Sequence, residues 1–238
     1  MLVSDILITE KEKVSLDDVF IHDESRQTIQ QLMREYRFID ELRRYRLPVN
    51  NKLMLHGSSG CGKTTTAKAI ASMLNKPLYV LNLSNFVSAK IGETSQNVKR
   101  VFDKAARESA VLFLDEFDQI GKARSNDDKE VGEMRRLVNT LLQLMDYFPE
   151  RALLIAATNF LEIIDPAIIR RFQVMVRYTM PSKEVLDAYY DKLAEELPEH
   201  LKVFTRRYGI SYAEAKDYAY TQVKTILIDE LERAAQEA

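Results

Sequence analysis

The sequence predicts an α/β fold, a parallel sheet sandwiched by helices, followed by a small helical subdomain. Up to about residue 180, short apolar runs alternate with helical patterns of about 10–15 residues, which is typical of parallel strands joined by crossover helices. After Pro181 the strand-like runs stop and only helical periodicity continues. We therefore expect an N-terminal arm (1–18), an α/β domain (19–180) and a C-terminal helical lid (181–238).

The helices are predicted from apolar residues that recur every three to four positions. In the first segment Ile29, Leu32 and Tyr36 share one face, and Pro48 lies just beyond its end. Spacing of this kind predicts helices over residues 23–46, 64–74, 96–108, 130–145, 184–195 and 212–235.

The strands are predicted from short apolar runs that end at turn or polar residues. The run 52–56 meets Gly57, and the run 111–114 is wholly apolar and meets two acids. Further strands are expected at 78–83, 152–157 and, more briefly, 174–176. A strand that is apolar at every position is typical of a sheet covered on both faces.

The composition favours a cytoplasmic protein without a membrane span. The 238 residues are 46% hydrophobic and carry a formal charge of −2, so no basic excess makes nucleic acid an obligatory partner. Cys61 is the only cysteine, which excludes an intramolecular disulfide framework. The N-terminus lacks the pattern of a signal peptide, and the apolar stretches fall short of the ~20 residues that cross a bilayer.

A glycine-rich loop between the predicted strand at 52–56 and the next helix matches the pattern G-x-x-x-x-G-K-[ST]. Its glycines let backbone N–H groups point at phosphate oxygens, and the helix directs its positive end at the same place. Lys63 can reach the terminal phosphates, and the Thr64 hydroxyl is a Mg²⁺ ligand. The residues expected to bind ATP are Gly57, Ser58, Ser59, Gly60, Cys61, Gly62, Lys63, Thr64 and Thr65. Cys61 is either a redox-sensitive thiol or a small residue that fills the loop.

Two acids follow the apolar strand at 111–114. We expect this strand to lie beside the strand that enters the phosphate loop. Ligands of open α/β sheets bind at the carboxyl ends of the strands, which is where these two acids lie. Asp115 is then placed to hold Mg²⁺ through its water shell. Glu116 is placed to polarise the attacking water.

From about Leu16 onward, these motifs and their order resemble the AAA ATPases, most closely the katanin- and spastin-like and related members. The matching segments are 18–21 (DVFI), 91–94 (IGET) with 97–102 (NVKRVF), 115–118 (DEFD), 156–159 (AATN) and 163–172 (IIDPAIIRRF). The resemblance implies that Phe20 and Ile21 line the adenine pocket. It also implies that Asn159 is the sensor that contacts the lytic water or the γ-phosphate.

The same resemblance makes Arg170 and Arg171 arginine fingers that act on the site of a neighbouring subunit. Such fingers can contribute about 10³–10⁵ in rate, and they imply a homo-oligomer, usually a hexameric ring. The chain departs from the family at Lys90, which occupies the position of the aromatic in the first pore loop. A lysine at that position favours acidic segments or no grip at all, which leaves peptide threading open.

Three functions follow as alternatives. The first is an ATP-driven ring that remodels or translocates a protein partner. The second is an ATP-gated assembly switch that docks to a partner without threading. The third is a nucleic-acid-associated ATPase, a loader or transposition regulator, which the near-neutral charge disfavours.

Overall fold

The computed structural model describes residues 7–10, 12–84, 91–122 and 128–236, and the side chains of these residues except 91–94 and 121–134. Lys90 therefore lies outside the described residues, and its role stays a prediction. The chain forms two compact units. The larger unit takes in the chain up to Gly57 and from Lys63 to Arg177, and the smaller takes in Ser58–Gly62 and Tyr178–Ala238.

The sheet has six strands in the order β1-β3-β4-β5-β2-β6. The strands are β1 (Ile8–Glu10), β2 (Lys52–Gly57), β3 (Leu78–Asn82), β4 (Val111–Asp115), β5 (Leu153–Thr158) and β6 (Val174–Tyr178). Neighbours from β3 through β4 and β5 to β2 are parallel. The predicted α/β fold with a parallel sheet is thus confirmed, and five of its strands were predicted.

Two details of the sheet differ from the prediction. Strand β1 lies in the expected arm and pairs antiparallel with β3, Ile8 opposite Val80. A three-residue strand has too little alternation to be recognised, and its partner is about 70 positions away. The prediction that β4 lies beside β2 is wrong, because β5 lies between them. Parallel strands need not follow chain order, and no local pattern encodes which crossover skips a position.

Helices cover both faces of the sheet in the larger unit. They are α1 (Asp23–Arg37), α2 (Ile39–Arg44), α3 (Lys63–Leu74), α4 (Ile91–Arg107), α5 (Gln119–Lys122), α6 (Asp128–Asp146) and α7 (Pro166–Ile169). The single helix predicted over 23–46 is divided at Phe38, whose φ of −112° and ψ of 25° are not helical. Half-buried Ile39 and Leu42 continue the apolar spacing beyond the break, which is why periodicity alone did not reveal it.

The core of this unit follows from the alternation of side chains along the strands. On one face Met54, Leu112 and Leu154 pack with Phe102 of α4 and Leu141 of α6. The alternate strand positions, such as Leu53, Phe113 and Ile155, are equally buried. Helix α3 contacts β4 and β5, and α1 packs on α3. The strands are therefore apolar on both faces, as their sequence requires.

The smaller unit is helical beyond β6. It contains α8 (Lys183–Glu195) and α9 (Tyr212–Gln236), which enclose a core of Leu186, Tyr190, Leu193, Ala215 and Ala219. Helix α9 begins with a capping box. The Ser211 hydroxyl accepts from the Glu214 N–H at 3.3 Å, and the Glu214 carboxylate accepts from the Ser211 N–H at 2.8 Å. This reciprocal pair satisfies two of the backbone donors that a helix start leaves open.

Candidate nucleotide-binding site

The phosphate loop leaves a buried strand and enters a helix, as the sequence predicts. Leu53, Met54 and Leu55 of β2 are fully buried. Gly57, at the end of β2, has a φ of 119°, and Gly62, just before α3, has a φ of 100°. These values lie in the region that favours glycine, and they allow the backbone to curl between the two elements.

Lys63 is the first residue of α3, and its side chain is 9% exposed. Its Nζ donates a hydrogen bond to the Gly57 carbonyl oxygen at 2.7 Å. The ammonium therefore lies across the start of the loop, close to the positive end of the helix. A buried cation beside a helix N-terminus is an environment that binds anions.

Thr64 and Asp115 come together from α3 and β4. The Thr64 hydroxyl lies 3.5 Å from Asp115 Oδ2. Burial, reinforced by the charge of Glu116, raises the pKa of the Asp115 carboxyl above its ordinary value. One hydroxyl and one carboxylate are the oxygen ligands that Mg²⁺ takes from a protein when phosphate and water supply the rest. The Thr64 hydroxyl and the Asp115 carboxylate thus fit Mg²⁺ with a nucleotide. They come together even though β5 lies between β4 and β2 in the sheet.

Glu116 has a left-handed backbone, with a φ of 53°. Its N–H donates to Asp115 Oδ1 at 2.9 Å, and its carbonyl accepts from the Gln119 N–H at 3.0 Å. For a residue other than glycine this conformation costs about 1–3 kcal/mol and is concentrated at functional sites. The turn holds Glu116 directly after Asp115. Glu116 is the residue that the sequence predicts to polarise the attacking water.

Asp118 is a site residue to which the sequence assigned no role. It is 2% exposed, and its Oδ1 accepts a hydrogen bond from the Thr158 hydroxyl at 3.2 Å. The Thr158 hydroxyl in turn accepts from the Phe160 N–H at 3.0 Å. The first bond links the turn after β4 to the end of β5, and the second spans Asn159, which lies between Thr158 and Phe160. In the sequence, Asp118 lies between the apolar residues Phe117 and Ile120, and this position is the feature that indicates its burial.

Asn159 follows β5, which lies between β4 and β2 in the sheet. Its side chain is exposed at the carboxyl edge, beside the end of β4, which carries Asp115. Phe20 and Ile21 are half-buried between the turn Leu16–Asp18 and α1. The Arg26 guanidinium fixes this segment by donating to the carbonyls of Leu16 and Val19, both at 2.8 Å. Contact of Phe20 and Ile21 with adenine stays a prediction.

Residues 58–62 of the loop pack within the smaller unit. The Gly60 carbonyl accepts from the Ala213 N–H at 3.1 Å, and Ser58 N–H donates to the Tyr178 carbonyl at 3.0 Å. Cys61 is 2% exposed, and its Sγ lies 3.4 Å from the Ser59 carbonyl. This burial favours the interpretation of Cys61 as a small residue that fills the loop.

The two predicted arginine fingers differ in their surroundings. Arg171 pairs with Asp146 at the end of α6, Nε to Oδ1 at 2.8 Å and Nη2 to Oδ2 at 3.0 Å. Its Nη1 also donates to the Ala167 carbonyl at 2.6 Å. Arg170 is exposed, and within the described part of the chain it forms no ion pair. Arg170 is therefore exposed and without an ion pair among the described residues, whereas Arg171 is held by a bidentate pair.

The family follows from comparison with known proteins. Residues 53–180, more than half of the chain, match the model of the ATPase family associated with various cellular activities (AAA). The chain belongs to the AAA ATPase family. The matched segment runs from β2 through β6 and contains the phosphate loop, Asp115, Glu116, Asn159 and both arginines.

Individual relatives are similar over most of this chain. It is 33% identical over 201 residues to an uncharacterized AAA family ATPase of Sinorhizobium fredii, covering 83% of this chain and 61% of the relative. It is 34% identical to the ATP-dependent zinc metalloprotease FtsH of Lachnoclostridium phytofermentans, covering 76% and 33%. It is 33% identical to the cell division control protein 48 homolog C of Arabidopsis thaliana, covering 65% and 21%.

Membership makes this chain an ATPase domain whose nucleotide is ATP with Mg²⁺. The chain spans about three fifths or less of the length of these relatives. The finer likeness to katanin- and spastin-like members stays a prediction. Among the described helices, none combines the length and the apolar character needed to cross a membrane.

Proposed function

We propose that this AAA domain assembles into a ring, of six copies as is usual in the family, and uses ATP hydrolysis to remodel or translocate a protein partner. The observation that carries the hydrolytic part is the meeting of Thr64, Asp115 and the left-handed Glu116 at one edge of the sheet. The relatives named for proteolysis and cell division support protein remodelling. We place the protein in the cytoplasm, with an arm at 1–18, a core at 19–180 and a lid at 181–238.

Each side chain at the carboxyl edge has a distinct role in this proposal. Lys63 leaves the Gly57 carbonyl to bind the terminal phosphates. Thr64 and Asp115 would hold Mg²⁺, which would supply positive charge to the phosphates. Glu116 accepts a proton from the attacking water as that water adds to the γ-phosphorus, while the bond between the γ-phosphorus and the β–γ bridging oxygen breaks and ADP leaves. Asn159 orients the same water through its side-chain amide.

The ring is supported by the exposure of Arg170. A guanidinium without an ion pair within the described residues is available to a neighbouring copy, where it stabilises charge in the transition state. Arg171 requires release from Asp146 before it can act in the same way. We therefore assign the main contact in trans to Arg170, with Arg171 as the second finger.

The hydrolytic role is tested by Glu116→Gln. We expect the variant to bind ATP as the wild type does and to turn it over about 10²–10⁴-fold more slowly, the usual contribution of a general base. Exposed Glu162, in the turn Leu161–Ile163, supplies the matched control, and Glu162→Gln should keep normal turnover. Wild-type turnover in Glu116→Gln would contradict the assignment.

The arrangement in trans is tested by mixing two inactive variants. Arg170→Ala copies retain Lys63 but supply no finger, and Lys63→Ala copies supply the finger but bind ATP weakly. Mixed assemblies contain some sites with both groups intact, so we expect turnover to reappear and to depend on the mixing ratio. No recovery at any ratio would count against shared sites.

The Glu116→Gln form in ATP is also the form in which to isolate the partner, because it should remain assembled.

A further inference from the structure

The middle of the phosphate loop, Ser58–Gly62, belongs to the smaller unit, whereas Lys63 belongs to the larger one. The Ser58 N–H donates to the Tyr178 carbonyl at 3.0 Å, and the Cys61 Sγ lies 3.9 Å from the Met180 Sδ. The end of β6 and the segment that follows it therefore hold the loop at two points. The first turn of α9 holds it at a third.

This third contact is a backbone hydrogen bond. The Ala213 N–H donates to the Gly60 carbonyl at 3.1 Å. Ala213 is the second residue of α9, so its N–H is one of the donors that have no partner inside the helix. The loop carbonyl supplies that partner, in addition to the capping box that Ser211 and Glu214 form.

The first turn of α9 and the loop are packed without a gap. A Cβ built on Gly60 would lie 2.9 Å from the Ser211 Cβ and 3.2 Å from the Ala213 Cβ, both closer than ordinary van der Waals contact. Close packing of this kind transmits displacement. A shift of the first turn of α9 would therefore move the backbone of Gly60.

Tyr212 ties this turn to the rest of the smaller unit. It is the first residue of α9, and its ring meets the edge of the Tyr189 ring of α8, with ring centres 5.1 Å apart and planes at 63°. Both rings pack against the core that contains Leu186 and Tyr190. Burial raises the pKa of the Tyr212 phenol to about 12, and the nearby Cys61 adds to the effect. The start of α9 is therefore anchored on α8 through a side chain close to the loop.

Core packing alone is a simpler explanation of Tyr212, but it is incomplete. Tyr220 packs against the same core about two turns further along α9, as an amphipathic helix requires. The core does not require the Ala213 N–H to be bonded to the loop, or Gly60 to lie against Ser211. Tyr212 lies between Ser211 and Ala213 in the chain, whereas Tyr220 does not adjoin either contact.

We propose that Tyr212 is a positioning residue for the binding of ATP by the phosphate loop. Anchored on Tyr189, it fixes the first turn of α9, and the Ala213 N–H then holds the Gly60 carbonyl. Because a trans peptide is planar, the N–H of Cys61 points opposite to that carbonyl and therefore away from α9. The direction of one backbone donor of the loop is thus set from the smaller unit. This role rests on the proposed assignment of ATP to the loop.

Titration with ATP and steady-state turnover test the role of Tyr212. Tyr212→Ala should weaken ATP binding about 5-fold, the usual weight of one hydrogen bond. The turnover number at saturating ATP should stay unchanged, because Tyr212 acts through the loop and not on the γ-phosphorus. Tyr212→Phe keeps the ring and should bind ATP as the wild type does. Tyr220→Ala is the matched control, which should lower the free energy of unfolding and leave ATP affinity unchanged. Normal affinity in Tyr212→Ala, or an equal loss in Tyr220→Ala, would overturn the proposal.

Ala213→Pro tests the hydrogen bond to the loop directly. Proline lacks the N–H but is tolerated in the first turn of a helix, where no intrahelical bond is lost. We expect ATP binding to weaken about 5-fold or more. Glu184→Pro makes the same change at the exposed second residue of α8 and should leave ATP affinity unchanged. Tyr212→Ala combined with Ala213→Pro should lose no more affinity than Ala213→Pro alone, because both act through one bond. An additive loss would overturn the proposed route.

Lys63→Ala separates this proposal from the assignment on which it rests. Weaker ATP binding in Lys63→Ala, Tyr212→Ala and Ala213→Pro would support both. Weaker binding in Lys63→Ala alone would overturn the positioning role and leave ATP assigned to the loop. Normal ATP binding in Lys63→Ala would overturn the assignment of ATP to the loop itself.

Discussion

The two edges of the sheet in the larger unit both gather charged side chains, but in different ways. At the carboxyl edge, Lys63 is bonded to the Gly57 carbonyl, and Asp115 lies beside Thr64, so charges of both signs are held by hydrogen bonds. At the amino edge, a cavity of about 710 Å³ is lined by apolar and neutral side chains and by four cations, which are Arg34, Arg37, Lys76 and Arg151. The first arrangement is organised before any ligand binds. In the second, Arg151 pairs with Asp40 and Lys76 donates to the Arg151 carbonyl, whereas Arg34 and Arg37 form no ion pair within the described residues.

The largest effect is expected for the backbone of the phosphate loop. Gly60→Ala places a Cβ at 2.9 Å from Ser211 Cβ and closer still to the Ser211 hydroxyl, at a φ of 68°. Left-handed strain of about 1–2 kcal/mol and crowding of about 1–3 kcal/mol should lower the free energy of unfolding together. Gly209→Ala is the control, since at a φ of 71° it meets no atom within 4 Å.

Denaturant unfolding without nucleotide measures both variants. The Gly209→Ala value gives the strain alone, and the excess in Gly60→Ala gives the crowding. Equal losses would show that the loop is not held tightly before ATP binds. That result would break the contrast between an organised edge and an unbalanced one.

The second prediction concerns the cation at the carboxyl edge. Lys63→Ala removes the ammonium beside the N-terminus of α3 and should weaken ATP binding by about 10- to 150-fold, the equivalent of about 1.5–3 kcal/mol for a charged hydrogen bond. Lys68→Ala, on the same helix, is the control because its ammonium pairs with Glu10 and Glu12 instead. Titration of a fluorescent ATP analogue compares them. Similar affinities for both variants would remove Lys63 from the site.

These two edges also show what the sequence could predict. Gly57 to Thr64 is one continuous segment, and Asp115 and Glu116 directly follow an apolar strand, so local patterns were sufficient to propose these residues as a site. The position of β5 between β4 and β2 depends on crossover order, which no local pattern records. The amino-edge cavity joins Arg34, Lys76 and Arg151, which are far apart in the chain and share no motif. Only the folded structure shows that these residues line one cavity.

Asp118 falls between the residues that local patterns predict and those that only the fold brings together. Its substitution should have a smaller effect than the substitution of Lys63. Asp118→Asn keeps the volume of the side chain but removes the charge that accepts from the buried Thr158 hydroxyl. We expect a loss of about 1 kcal/mol in the free energy of unfolding and a lower turnover number with unchanged ATP affinity, because Asn159 follows Thr158 directly. Exposed Asp103→Asn on α4 is the control. Unaltered turnover in Asp118→Asn would limit Asp118 to a structural role.

The smallest effect on stability is expected at the amino edge. Lys76→Met keeps the aliphatic stem and removes an ammonium whose pKa burial lowers. Loss of its contact with the Tyr36 ring (about 0.5–1 kcal/mol) and of its hydrogen bond to the Arg151 carbonyl opposes the relief of desolvation, so stability at pH 7 should change by less than about 1 kcal/mol.

The pH dependence is the sharper measurement for Lys76. Because its folded-state pKa is lowered, the folded chain loses this proton before the unfolded chain does, whose lysine titrates near pH ~10.4. The unfolded state then binds more protons, so in the wild type this group makes stability rise with pH between the two pKa values. Lys76→Met should lose that rise, whereas Lys104→Met, which removes an ammonium 4.9 Å from the Tyr79 ring, should keep it. A slope retained in Lys76→Met would mean that the cation pays no burial penalty, and the amino edge would no longer differ from an ordinary solvated surface.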